Sequence, residues 1–186
     1  FFGDLVENDP SAQQIIEFPI CAFLIDTPDG RILFDVGCHP DAMKPHGRWS
    51  DSFQESYPWS TGPDGEACQL PNRLEQLGLG PNDIKYVVLS HMHSDHAGCL
   101  EYFSKSQVIV HQNEYGAALD AYKRKDIDSS YAWKDIEQWA SQEMNWRFVN
   151  NNEKALTLTD RVTILNWGPG HAAGMLGLSV SLEKVG

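Results

Sequence analysis

No apolar stretch in this sequence runs longer than a handful of residues, Ile20–Ile25 and Tyr86–Leu89 being representative. That is far short of the ~20 residues a membrane-spanning helix needs, so no transmembrane helix is expected. Positive charge is scarce as well: 14 Lys and Arg stand against 26 Asp and Glu, a formal net charge of −12. Such a surface repels polyanions and lacks the counterion-release term that nucleic-acid binding depends on. The expected partner is a small molecule, with neither nucleic acid nor membrane. Cysteine is limited to Cys21, Cys38, Cys68 and Cys99, with no CxxC pair, which argues against a zinc ribbon or a thioredoxin-like motif. Free thiols in a reducing compartment follow, and with them a cytoplasmic location. The chain begins at Phe1 rather than Met, which leaves room for a removed leader.

What is present fits one soluble α/β domain over residues 1–186, with 41% hydrophobic and 22% charged residues. Residues 1–16 are polar and aperiodic and read as a loop or displaced arm. Phe18–Ile25, the turn Thr27-Pro28-Asp29-Gly30 and Arg31–Val36 predict a β-hairpin. Residues 37–69, rich in Pro, Gly, Ser and Trp, predict a long irregular loop of the kind that is usually functional or disordered. Leu70–Leu79 predicts a short amphipathic helix, and Ile84–Ser90 a buried strand. Helical character follows at Ala97–Phe103, then a strand at Gln107–Val110 and helices over Gln112–Lys125 and Trp133–Trp146. Strands are expected at Arg147–Val149, Ala155–Leu158 and Val162–Leu165. Alternating strands and helices indicate an α/β class without settling the layer order.

The chemistry concentrates in His91-Met92-His93-Ser94-Asp95-His96. Four good metal ligands fall within six residues directly after a predicted strand, in a chain with only seven histidines. Imidazole suits zinc, iron, cobalt and nickel, and a nearby carboxylate lets a second cation share the site. One tetrahedral ion could not easily take all four from so short a loop. Two cations fit better, with His91 and His93 turned to one and Asp95 and His96, at the start of the next helix, facing the other.

This string resembles the HxHxDH signature of the metallo-β-lactamase superfamily, and the rest of the chain is similar in order. Asp35, before Gly37, matches the superfamily's early Asp, which lies beneath the metal site and orients a ligating His. Gly168-Pro169-Gly170-His171 resembles the PGH turn, whose His completes the first cation's set with His91 and His93. Within the superfamily, FPICAFLIDTPDGRILFDVG, IKYVVLSHMHSDHAGCLEYF, VIVHQNEYGAAL and GPGHAAGMLGLSV resemble the N-acyl homoserine lactonase group, from about Glu17 to Val180, with weaker matching in 38–69 and 120–150. Many of these lactonases carry a second His where this chain has Met175.

The resemblance implies a four-layer αββα sandwich. It also implies two divalent cations, zinc first with iron, cobalt or manganese as alternatives, held by His91, His93, His171, Asp95 and His96. The implied activity is opening of an N-acyl homoserine lactone by a hydroxide bridging the cations, with Asp95 as the one nameable catalytic carboxylate. The family pattern continues past the PGH turn with a bridging Asp and a final His. Neither falls within 186 residues, so the expected sandwich is incomplete at the C-terminus. Its remainder is expected to be missing or on a second chain, and a homo-oligomer is also compatible. Competing readings are a thioesterase of the glyoxalase II type, a β-lactamase, a persulfide dioxygenase-like oxidoreductase with one iron on His91, His93 and His171, and a non-enzymatic remnant. The aromatic groups Trp49, Phe53, Tyr57, Trp59 and Trp133, Trp139, Trp146 read as core or chain contacts before a substrate wall. His39 and His46 read as loop or surface histidines, as does His111, which could also line the site. Lys123-Arg124-Lys125 reads as a solvated helix end.

Overall fold

The computed structural model describes residues 17–182; the arm expected at 1–16 lies outside them. The hairpin forms as expected, with β1 (Phe23–Thr27) antiparallel to β2 (Gly30–Phe34) across a turn that pairs Thr27 with Gly30. Gly30 has φ +120, a conformation that costs an L side chain heavily. After β2 the chain enters the region expected to be irregular, which contains a short helix, α1 (Asp51–Ser56), and a 3-10 turn, Gly62–Cys68. Ser50 caps α1 by accepting the Phe53 N–H. This stretch is held by its aromatics: Trp49 is buried with Cys38, Ala42 and Ala132, and Phe53 and Trp59 pack against them. Those side chains are core, as expected.

Helix α2 (Leu70–Gln76) leads to β3 (Ile84–Val88), which pairs parallel with β2. The short helix α3 (Ser94–Ala97) and a 3-10 turn at Leu100–Phe103 follow. Then come β4 (Gln107–His111), α4 (Gln112–Arg124), α5 (Trp133–Ala140) and β5 (Asn145–Val149). The last helix is shorter than the reading of Trp133–Trp146: it stops at Ala140, and Trp146 belongs to β5. Trp139 and Trp146 nonetheless touch, with ring centroids 5.3 Å apart, so an apolar spacing that mimics a helix comes from two elements meeting in one cluster. The first sheet runs β1-β2-β3-β4-β5, parallel from β2 onward. A second, antiparallel sheet comprises β6 (Ala155–Thr159), β7 (Val162–Gly168) and β8 (Met175–Val180).

The period-two alternation of strands sorts the core into two layers. Leu33, Val87, Val108 and Val110 face the helices and pack on Leu74, Leu100, Ala118, Ile136 and Trp139. Their neighbours Ile32, Val88 and Ile109 face the opposite way, onto Val162, Ile164 and Leu176 of the second sheet. The described residues therefore form a helix, sheet, sheet stack, three layers of the expected four-layer sandwich. No helix among them is long and apolar enough to cross a membrane. Cys21, Cys38 and Cys99 are free thiols, as expected.

Candidate metal centre

The C-terminal ends of β2, β3 and β4 all deliver polar side chains to one edge of the first sheet, the place where open parallel sheets commonly bind ligands. Asp35 leaves β2 with φ 62, a left-handed conformation that Asp tolerates better than most residues. It accepts the Ser90 N–H at 2.7 Å and the Ser90 hydroxyl at 2.8 Å, and meets His96 Nδ1 at 2.9 Å. His91 to His96 wrap from the end of β3 into α3. From the second sheet, the β7–β8 turn brings His171 over this loop, and the Leu176 N–H ties it down by donating to the Ser90 carbonyl at 2.9 Å.

The five residues singled out in the sequence meet in space. The His91 ring lies 4.6 Å from His93, 5.2 Å from His171 and 4.0 Å from His96, and His93 lies 4.9 Å from His171. Two groups have ligand atoms within 4.8 Å of one another: His91, His93 and His171, and His91, Asp95 and His96. His91 adjoins both groups, where the loop alone suggested that it would turn to one.

Hydrogen bonding shows which ring nitrogens are available. The Ser90 hydroxyl donates to Asp35, so its oxygen is left to accept from His91 Nδ1, 3.0 Å away. That tautomer leaves a lone pair on His91 Nε2, which is buried and has no hydrogen-bond partner. A buried nitrogen so orphaned, aimed into a ring of imidazoles, fits a divalent cation. His96 is placed the same way: Nδ1 faces Asp35, and Nε2 faces Asp95 Oδ2 at 3.3 Å.

Burial and the neighbouring charges set the protonation of the cluster. Burial, with the neighbouring histidines His96 and His93 adding to it, pushes His91 down to about 3. Burial and His171 push His93 down to about 4. His96 goes the other way: burial opposes its charge, but the bonds to Asp35 and Asp95 outweigh it and hold the ring at about 10. Burial likewise opposes ionisation of Asp95, yet its bond to His96 prevails and lowers it. Neutral His91 and His93 and an ionised Asp95 are the protonation states a cation requires, whereas His96 would give up a proton to ligate one.

Several residues here were not singled out as site residues in the sequence. Ser90 bridges Asp35 to both histidines but looked like a strand terminus. Glu114 and Tyr131 contact the two ligand loops, yet each is a polar position in a helix or turn. His111 is fully buried rather than on the surface, and His39 is buried too, so the surface expectation for both is corrected. His46 is exposed, as expected. His39 is drawn inside by Arg48 (3.2 Å), Tyr102 (2.7 Å) and the Asp41 N–H (3.0 Å).

Comparison with known proteins agrees with this geometry. The metallo-beta-lactamase superfamily model matches residues 16–185, and the chain belongs to that superfamily. It is 46% identical over 173 residues to the N-acyl homoserine lactonase AiiB of Agrobacterium fabrum, covering 93% of this chain and 62% of that protein. It is 27% identical over 177 residues to an N-acyl homoserine lactonase of Bacillus thuringiensis, at the same coverage. A crystal structure of a B. thuringiensis AiiA variant with N-decanoyl-L-homoserine bound at the active site superposes with TM-score 0.64 at 27% identity, over 86% of this chain and 57% of that one. A crystal structure described as a probable metal-dependent hydrolase from Staphylococcus aureus shares the fold with TM-score 0.66 at 19% identity, over 98% of this chain and 60% of that one. The chain thus spans 62% of the length of the curated relatives it matches.

Proposed function

We propose that this chain carries the metal-binding part of a lactone hydrolase that opens N-acyl homoserine lactones, the activity that quenches quorum signals. His91, His93 and His171 hold one divalent cation. Asp95 and His96, with His91 alongside, face the second, and zinc suits this nitrogen-rich set. Cations held there would supply Lewis acidity, lowering the pKa of water toward neutrality and polarising the lactone carbonyl. The chain's own residues do the rest. Asp35 fixes the His96 ring through Nδ1 and, by way of Ser90, the tautomer of His91, so that both present Nε2 to the site. Attack by water frees one proton and the alkoxide released on ring opening takes one up, and Asp95 is the carboxylate of the site available to relay it between them.

The observation that carries this reading is the convergence of His171, from the second sheet, on His91 and His93 from the first. The 46% identity to an enzyme named N-acyl homoserine lactonase supports the choice of substrate. The two sheets share one apolar interface and both supply site residues, which supports reading the described residues as a single domain. The test is a hydrolysis screen of the full-length, zinc-replete protein over N-acyl homoserine lactones, thioesters and β-lactams, with metal analysis of the same sample. Lactone turnover with zinc bound and the other substrates untouched is expected. Thioester or β-lactam turnover in place of lactone turnover would overturn the substrate, and a single iron with sulfur oxidation would overturn the reaction class.

A further inference from the structure

An acidic residue in the first turn of a helix ordinarily faces water, where it complements the helix dipole. Glu114, in the first turn of α4, is instead fully buried. Its Oε1 accepts the Met92 N–H at 2.9 Å and its Oε2 accepts the Gly174 N–H at 3.2 Å. Met92 lies between His91 and His93, and Gly174 follows His171 in the same turn. One carboxylate therefore joins the two loops that carry the three histidines, one loop from each sheet. The Tyr131 ring stands edge-on to His93 with centroids 5.0 Å apart.

The helix start is shaped around this contact. His111 caps α4 by accepting the Asn113 N–H on Nδ1 at 3.2 Å. Its ring fills the space beside Gly174 so completely that a Cβ there would sit 2.0 Å from Nδ1. The glycine is thus needed for the turn to approach α4 closely enough for Glu114 to reach its N–H. Burying a carboxylate between two N–H donors rather than beside a cation is costly, and an apolar side chain would fill the same space at lower cost. Core packing therefore does not account for Glu114.

We propose that Glu114 is a positioning residue that sets the spacing between the His91–His93 loop and the His171 turn, and through it the affinity of the three-histidine set for its cation. This rests on the assignment of those histidines as ligands. Partners that orient metal ligands typically contribute about ten- to a hundredfold in affinity. Glu114→Gln keeps the size but can accept only one of the two N–H groups and turns an NH2 toward the other.

The test is chelator-competition titration of zinc on the full-length protein in a double-mutant cycle with His171→Ala. E114Q is expected to weaken the tighter-held zinc by about tenfold or more. In the H171A background the same substitution should change zinc affinity by no more than about twofold, because the spacing it controls no longer matters. Equal losses in both backgrounds, or no loss in the first, would overturn the proposal. Should E114Q fail to fold, amide exchange on the unsubstituted protein decides instead: Met92 and Gly174 N–H groups are expected to be protected, and exchange at free-loop rates would overturn it. A protein that binds zinc with this coupling but opens no lactone would remove the proposed substrate and leave the role of Glu114 intact.

Discussion

Two clusters, each centred on a buried histidine, His39 and His91, are built on opposite principles. Around His39, Arg48 donates to Glu101 at 2.8 Å and lies 3.6 Å from Asp135, while Tyr102 and the Asp41 N–H close on the ring. The unpartnered atoms in that cluster are carboxylate oxygens of Glu101 and Asp135; burial pushes Asp135 well up, and the Arg48 guanidinium opposes this in part. Around His91 the groups that face one another are imidazoles, and the unpartnered atom is a ring nitrogen. The first cluster is complete in itself and ties residues 38–50 to the 3-10 turn and α5. The second is complete only with something positive between its rings. Burial alone therefore does not mark a functional histidine; what its neighbours can donate or accept does.

The contrast is open to direct tests. His93→Ala should abolish zinc retention at the first position and cut lactone turnover by about a thousandfold or more, since losing a cation removes several kcal/mol of transition-state stabilisation. Metal analysis and initial rates on the same preparation check this. Arg48→Met should leave metal content unchanged but destabilise the fold by about 3 kcal/mol, because Glu101 is left without its ion-pair partner; urea unfolding measures it. His39→Ala should be milder, about 1–2 kcal/mol from lost hydrogen bonds, again with zinc binding intact. If H39A released zinc, the separation of the two clusters would fail.

The smallest expected effect is the pH dependence of the metal-stripped protein. His91 and His93 have folded values of about 3 and 4, below the ordinary 6.5. The unfolded chain then binds more protons, so their contribution to stability is full above pH 6.5 and is lost as pH falls toward 4 and 3. His96, raised to about 10, contributes fully below pH 6.5 and loses that contribution as pH rises through 10. Stability of the stripped protein should therefore peak near neutrality, and urea midpoints at pH 5, 7 and 9 would show it. A flat profile would mean that these rings are not crowded together without metal.

Much of the site was legible because its ligands are local. His91, His93, Asp95 and His96 lie within one strand-end loop, and a run of ligand side chains after a buried strand has few other uses. His171 was legible only through the Gly168–His171 turn, since nothing in its own surroundings distinguishes it from an exposed loop residue. Glu114 was not legible. In sequence it is an ordinary acid at a helix start, and only the approach of the β7–β8 turn to α4 makes it a buried acceptor of two amide N–H groups. The helix expected to reach Trp146 shows the same limit, because apolar spacing cannot tell one long element from two that meet.

The sequence by itself determined most element types, though neither α1 nor β8, the period-two strands that sort Val87 from Val88, and the kind of chemistry, because these depend on neighbouring residues and their donor atoms. Tertiary structure alone decided which nitrogen of the His91 ring is left unpartnered, that the two sheets each supply part of one histidine cluster, and that His39 and His111 lie inside. Those outcomes depend on contacts between segments tens of residues apart, and the geometry of such contacts is written in no local pattern.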